Sequence, residues 1–282
     1  LENSQYTKEM QVILGDIRDF DSVFKASEGC NSIIHLAALI GIPYSYISPL
    51  AYIRTNVEGT YNVLETSKIK NIEQLIVTST SETYGSAQYI PIDEKHPLSA
   101  QSPYASTKIA ADQLSLSYFK SFNTPIKIVR PFNTYGPRQS SRAIIPTIIN
   151  QLLSKNKKIT LGNLDPTRDL IYVDDLCNAF VEIFKSQIFL GDIVNVGNNT
   201  EISIKEILNK ISSIMNIEYN IEQEDIRKRP VKSEVNQLVC DNKKILSKSN
   251  WTSKVTLDEG LEKTINWFKD NQSFYKSDLY HV

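Results

Sequence analysis

A hydroxyl-rich run with a single carboxylate, Thr78-Ser79-Thr80-Ser81-Glu82-Thr83-Tyr84-Gly85, follows directly on the apolar run Leu75-Ile76-Val77. In open α/β sheets, chemistry collects at the carboxyl ends of the strands. At such an edge Thr80 can hydrogen-bond a substrate hydroxyl, and Glu82 can act as a general base if desolvation raises its pKa. Alone, the same run is a polar turn capped by Ser and Thr. Further on, Tyr104 and Lys108 stand four residues apart, and of the 14 tyrosines only Tyr104 has lysine at that spacing. Ser102 suits an N-cap and Pro103 a first helical position, so the pair falls on one face of the opening turns of a helix. An ammonium near the phenol favours the phenolate, which can take a proton from a substrate hydroxyl during hydride loss.

Three further clusters suggest ligands. Arg130-Pro131-Phe132-Asn133-Thr134-Tyr135-Gly136-Pro137-Arg138 again follows a strand-like run. Arg138, with the later Arg168 and Arg229, can grip a diphosphate through charge-assisted bidentate contacts, although Arg168 beside Asp169 also reads as a local ion pair. Asp16 in Gly15-Asp16-Ile17-Arg18-Asp19 can accept from an adenine amino group with Ile17 against the ring, or simply cap a turn. His35-Leu36-Ala37-Ala38 ends a buried run, and its small residues admit a pyrophosphate or ribose close to the backbone. His35 itself reads as a satisfied core histidine.

The elements that must position these residues are legible from periodicity. Short, β-branched, apolar runs at Val12–Leu14, Ser32–Leu36, Gln74–Thr78, Ile126–Val129 and Ile193–Val196 read as parallel strands covered on both faces. Helical patterns at Thr55–Lys68 and Pro103–Phe122 alternate with them, which predicts a doubly wound parallel sheet. Beyond Gly136 the texture changes. Helices are expected at Ile144–Leu153, Leu176–Phe184, Ser203–Met215 (Ser203 and Glu206 forming a capping box) and Glu259–Phe268, with a charged loop at Glu222–Val235. The expected fold class is therefore α/β, a Rossmann-like doubly wound parallel sheet with a smaller mixed α/β substrate domain. Residues 1–135, plus the strand near 191–197, form the dinucleotide-binding part, and 136–282 mainly the substrate cap.

Lys and Arg total 31 against 32 Asp and Glu, a net charge of −1, which gives no electrostatic case for nucleic acid or an anionic membrane. Three scattered cysteines without a CxxC fit a reduced, cytoplasmic setting, and three histidines argue against a metal site. The uncharged stretch Gly29–Ile53 holds Asn31, Pro43, Pro49 and three tyrosines, so it reads poorly as a membrane span. No signal-peptide pattern opens the sequence. None of the ten glycines lies in a G-x-G or P-loop spacing, so the sheet is expected to lack the first βα unit of a dinucleotide-binding fold.

Taken together, GDIRD, HLAA, TNVEGT, TSTSETYG, YASTK, RPFNTYGPR and RDLIYVDD resemble the extended short-chain dehydrogenase/reductases that act on nucleotide sugars. The likeness runs from about Val12 to the C-terminus. It implies NAD as cofactor and Thr80, Ser81, Glu82, Tyr104 and Lys108 as the catalytic set of a sugar-nucleotide 4,6-dehydratase. Asp16, Ile17, Leu36, Ala37, Ala38, Asn56, Thr78, Tyr104 and Lys108 would hold the cofactor. Tyr46, Asn133, Arg138, Arg168 and Arg229 would hold the substrate, with no metal. GIPYSY, GPRQSSRAIIPTII and the stretch around Glu82 are most similar to dehydratases of N-acetylhexosamine nucleotides of the legionaminic-acid type, on UDP or GDP. The resemblance also implies a homodimer through a four-helix bundle of the 104–122 and 50–68 helices, with Leu116 and Phe119 on the outer face. Without the Gly-rich loop of the family the chain is expected to bind NAD poorly. The alternatives are a UDP-glucuronate decarboxylase or a sugar-nucleotide 4-epimerase, and an inactive fragment or non-catalytic dinucleotide-binding protein.

Overall fold

The computed structural model of the protein describes residues 6–154 and 158–274; His281 lies outside them. In chain order the strands are β1 (Ser32–His35), β2 (Gln74–Thr78), β3 (Ile126–Pro131), β4 (Asn133–Tyr135), β5 (Lys158–Leu161), β6 (Thr167–Arg168), β7 (Leu170–Tyr172), β8 (Ile193–Val196), β9 (Ile202–Ser203), β10 (Asn220–Gln223) and β11 (Gln237–Leu238). The first helices are α1 (Phe20–Ala26), α2 (Ile42–Ile47), α3 (Pro49–Tyr52), α4 (Gly59–Ile69) and α5 (Pro103–Phe122). They are followed by α6 (Ile144–Leu153), α7 (Val173–Lys185), α8 (Ile204–Met215), α9 (Lys243–Lys248) and α10 (Leu257–Asp270).

The main sheet has the order β1-β2-β3-β8 with every pair parallel. Its central strands are apolar on successive residues because both faces are covered. Leu75 and Val77 of β2 pack with Val63 and Leu64 of α4 and Tyr118 of α5, while Ile76 between them packs on the other face with Ile183 of α7 and Trp251. Parallel pairing sends all four carboxyl ends to one edge, where the Thr78–Gly85 run emerges. A second core joins α6, α8 and α10 to β5 through Ile148, Ile159, Leu208, Ile211, Leu261 and Phe268. Smaller pairings, β4–β7, β5–β10 and β11–β6–β9, hang on this second half.

Helix signals in the sequence are obeyed locally. Ser102 Oγ accepts from Ala105 N at 3.1 Å, Pro103 opens α5, and Asn123 closes it in the left-handed region at φ 56°. Ser203 and Glu206 form the expected capping box on α8. No helix among the described residues is long and apolar enough to cross a membrane.

Four expectations are corrected. Val12–Leu14 forms no strand and its side chains are exposed, because β1 ends the described sheet and no ladder reaches these residues. The helix expected from Thr55 is not uniform: Ile53–Glu58 is a π-helical segment feeding α4, which rotates the buried Asn56 inward. The loop expected at Glu222–Val235 begins inside β10 and contains two 3₁₀ turns, since β5 offers Glu222 and Gln223 a parallel partner. Leu116 and Phe119 are half-buried against the β2–β3 core rather than on an outer face. The Phe119 ring fits there because residue 191 is glycine at φ +69°, where a Cβ would sit 2.1 Å from it.

His35 is the satisfied core histidine expected. Thr60 donates its hydroxyl proton to Asn56 O at 2.6 Å, so His35 donates from Nε2 to Thr60 Oγ1 at 3.1 Å. Burial, and then the positive charge of Lys108, hold its pKa down from 6.5 to about 4. The unfolded chain therefore binds more protons between these values. The His35 contribution is fully present above pH 6.5 and is lost as pH falls through 4, roughly 3 kcal/mol in all. Denaturant melts of wild type and His35→Asn over that window should show a flatter pH dependence in the variant.

Candidate active site

Thr80, Ser81 and Glu82 stand just past β2, where the chain turns on itself. Thr80 Oγ1 accepts from Glu82 N at 3.2 Å and caps a 3₁₀ turn over Ser81–Tyr84. Gly85 ends the turn at φ +64°, and a Cβ there would meet Ser99 O at 2.2 Å, so only glycine lets the chain leave. Ser81 is buried and Glu82 is half-buried.

Tyr104 and Lys108 face this turn from the start of α5, both buried. The Tyr104 ring meets Tyr52 edge-on at 6.3 Å. Burial pushes the Tyr104 phenol well above its ordinary pKa; a hydrogen bond with Thr80 pulls it back, and the nearby charges of Glu82 and Asp112 raise it further. The expected lowering of this pKa by Lys108 is corrected: the ammonium donates instead to Thr78 O at 2.7 Å, and burial lowers its own pKa. In this state Tyr104 is a neutral phenol hydrogen-bonded to Thr80.

On the opposite side two guanidiniums and two carboxylates meet. Arg168, on β6, is buried, donates to Thr167 O at 2.8 Å and lies 3.6 Å from Glu234 Oε1. Arg229 Nη1 lies 3.7 Å from Glu82 Oε1 and 4.0 Å from Glu234 Oε1, and is buried without a hydrogen-bond partner. Arg168 is not paired with Asp169, whose carboxylate accepts from the backbone of Asn198, Asn199 and Cys240. The Arg229–Glu234 segment is tied down by Tyr46, bonded to Ser233 Oγ, and by Gln101 Nε2, which donates to Lys232 O at 3.0 Å and Glu234 O at 3.3 Å. Asn133 presents a buried side-chain oxygen without a partner. Arg138 is exposed, on a left-handed residue at φ 65°, and is not among the residues that meet Glu82.

The residues expected around a dinucleotide divide. Leu36 and Ala37 are exposed, and Ala38 half-buried, at the carboxyl end of β1; Thr78 Oγ1 is buried without a partner. Three others make contacts within the fold. Asp16 is held by Arg18 in an exposed ion pair, which keeps its carboxyl down at about 2. Ile17 packs inward on Gly59, where a Cβ would lie 2.9 Å from it. Asn56 uses its whole amide inside the fold: Oδ1 accepts from Leu39 N, and Nδ2 donates to Leu39 O and Thr107 Oγ1. It thereby fixes the segment after β1 to α5.

Sequence reasoning missed Glu234 and the pair of Asp112 and Arg130. Glu234 lay in a stretch read only as charged. Asp112 follows Lys108 by four residues, the same spacing that joins Tyr104 to Lys108, and that periodicity was the available signal.

A parallel sheet wound by helices on both faces, with Tyr104 and Lys108 on the helix after β2, is the Rossmann-type arrangement of the short-chain dehydrogenase/reductases. A model of the family described as GDP-mannose 4,6 dehydratase matches residues 1–264, and the chain belongs to that family. The human dTDP-D-glucose 4,6-dehydratase is 30% identical over 286 residues, 98% of this chain and 80% of that protein. The UDP-glucuronate 4-epimerase of Thermodesulfobacterium geofontis is 30% identical over 280 residues, 98% of this chain and 84% of that protein. The dTDP-glucose 4,6-dehydratase DesIV of Streptomyces venezuelae, solved with NAD bound, superposes with a TM-score of 0.86 at 25% identity, covering 93% of this chain and 80% of that one.

Glu234 and Glu82 compete with any anion for Arg168 and Arg229. Glu234→Gln should therefore tighten binding of inorganic pyrophosphate, measured calorimetrically, about fivefold (~1 kcal/mol). Weaker binding in the variant would mean that Glu234 supports the anion rather than opposing it.

Proposed function

We propose that the protein catalyses NAD-dependent 4,6-dehydration of a nucleotide-activated hexose, giving the 4-keto-6-deoxy sugar. The observation that carries this reading is Glu82, a carboxylate close enough to raise the Tyr104 pKa and held 3.7 Å from Arg229 at the strand edge. Withdrawing a proton from C5 needs such a base, whereas 4-epimerisation leaves it without a task.

The residues present suit a dinucleotide. The carboxyl end of β1 is open, Thr78 Oγ1 is an unpaired buried oxygen, and Lys108 uses one of its three protons on Thr78 O. Leu36, Ala37, Ala38, Thr78, Tyr104 and Lys108 would hold NAD, which supplies reversible hydride transfer when bound. Once its phenol is ionised, Tyr104 would take the proton of the C4 hydroxyl as the keto group forms, and the hydrogen bond with Thr80, which lowers the phenol's pKa, favours that ionised form. The keto group acidifies C5–H; Glu82 would remove that proton and pass it to the hydroxyl leaving C6 as water, with Ser81 beside it, after which C6 regains the hydride taken from C4 and C5 is reprotonated to give the 4-keto-6-deoxy sugar. Arg168 and Arg229 would hold the nucleotide diphosphate, with Asn133 and Tyr46 towards the sugar; Arg138 is the exposed outer member of that set.

The finer reading is that the substrate is UDP- or GDP-N-acetylglucosamine, as in the legionaminic-type subgroup that GIPYSY and GPRQSSRAIIPTII resemble. The same reading divides the chain into a cofactor part, 1–135 with the strand near 191–197, and a substrate cap over 136–282. It also implies a cytoplasmic homodimer joined through α3–α4 and α5.

The test is incubation with NAD and, separately, each nucleotide sugar, followed by mass spectrometry of the products. Loss of one water establishes the reaction and names the nucleotide; unchanged mass with both removes the reading. Glu82→Gln should reduce water loss by about 10²- to 10⁴-fold.

A further inference from the structure

Next to the Thr80–Tyr84 turn lies a charge pair almost sealed from water. Arg130 on β3 donates to Asp112 Oδ2 on α5 from Nε at 3.0 Å and from Nη2 at 2.8 Å, and the side chains are 1% and 0% exposed. Among the described residues, the pair bonds only two side chains outside itself. Ser79 Oγ donates to Asp112 Oδ2 at 2.7 Å, and Arg130 Nη1 donates to Tyr84 OH at 3.0 Å. Ser79 immediately precedes Thr80, and Tyr84 closes the 3₁₀ turn that holds Ser81 and Glu82. Both ends of the catalytic turn are thus fastened to one object.

From this geometry we infer that the Arg130–Asp112 pair is a clamp that positions Thr80, Ser81 and Glu82 against Tyr104 and Lys108, acting through Ser79 and Tyr84. The clamp spans the three elements that must agree. Asp112 lies on the helix face that bears Tyr104 and Lys108, Arg130 is on the strand beside β2, and Ser79 and Tyr84 flank the turn. Tyr84 OH passes the connection on to Asn195 Oδ1 of β8 at 2.8 Å, and the Arg130 guanidinium lies over the Tyr84 ring at 4.9 Å. Burial pushes the Tyr84 phenol up to about 12, so it keeps the proton it donates to Asn195. A structural pair alone would not need both of its outward bonds to end on the borders of one short turn.

The inference rests on the dehydratase reading for its kinetic consequence but not for its structural one, and the experiment separates them. Substituting Asp112 or Arg130 strands a buried charge and endangers folding, so the struts are cut instead, with Ser79→Ala and Tyr84→Phe combined. Hydrogen exchange should rise about tenfold at the amides of Glu82, Thr83 and Gly85 and stay unchanged in β2 and α5. In the water-loss assay kcat should fall about tenfold or more with KM within about twofold, as misplacement of catalytic groups predicts. Ser79→Thr, which keeps the hydroxyl, should stay near wild type where Ser79→Ala does not. Unchanged exchange across 80–85, or unchanged kcat with increased exchange, overturns the clamp. If wild-type protein dehydrates no nucleotide hexose, the functional reading fails and exchange alone decides the clamp. Should the double variant not fold, Tyr84→Phe, which removes one oxygen, answers the same question.

Discussion

Arg130 and Asp112 hold each other at 2.8 Å where water barely reaches, and the arrangement around the site depends on that contact. Burying a charge costs several kcal/mol for each ion, and losing one partner of such a pair costs about 3–5 kcal/mol because the other is left uncompensated. The exposed pairs Arg18–Asp16 and Lys158–Glu222 belong to another regime, where solvent screens the attraction. A buried pair stabilises less than well-packed apolar groups of the same volume would, but it tolerates only one register. Here that register relates β3 to α5, which carries Tyr104 and Lys108, and to the turn at the end of β2, which carries Glu82.

The electrostatics of the site follow from its burial. Desolvation moves Tyr104 up and Lys108 down, so each is drawn towards its neutral form. Opposite them, Arg168 and Arg229 face Glu82 and Glu234. The site therefore has a dry side suited to moving protons and a charged side suited to an anion.

Much of this was legible in the sequence wherever a short-range rule decides the structure. Pro103 after Ser102 set the start of α5, Ser203 with Glu206 set the start of α8, and the apolar runs of β1, β2, β3 and β8 fell where expected. The Thr80–Glu82 turn and the Tyr104–Lys108 pair were found because strand ends and the helical repeat bring them together. What escaped depends on distant neighbours. Val12–Leu14 has strand composition, but a strand exists only where another accepts its hydrogen bonds. Asn56 was read as a ligand group because nothing local shows that a π-helical segment turns its amide onto Leu39 and Thr107. Ile17 packs against Gly59, a contact that depends on α4 and that the local sequence does not show. Glu234 became visible only when Gln101 and Ser233 fixed the segment that carries it.

The same scaffold serves relatives named as dehydratases and relatives named as epimerases. Fold alone cannot decide between such chemistries; the site has to. Under the proposed function the Tyr104–Lys108 pair and the open end of β1 would be common ground, since both reactions begin by removing a hydride from C4. The difference lies in whether a carboxylate is held over C5, and a side chain two residues past a strand end is held only as well as its turn is. Thr80 caps that turn from within, and Gly85 permits its exit. Ser79 and Tyr84 fasten its borders to a pair that admits one geometry. A turn of this composition without those fastenings would present the same residues without fixing where the carboxylate points. If Glu82 is the base proposed, its aim depends on the side chains beneath it as much as on Glu82 itself.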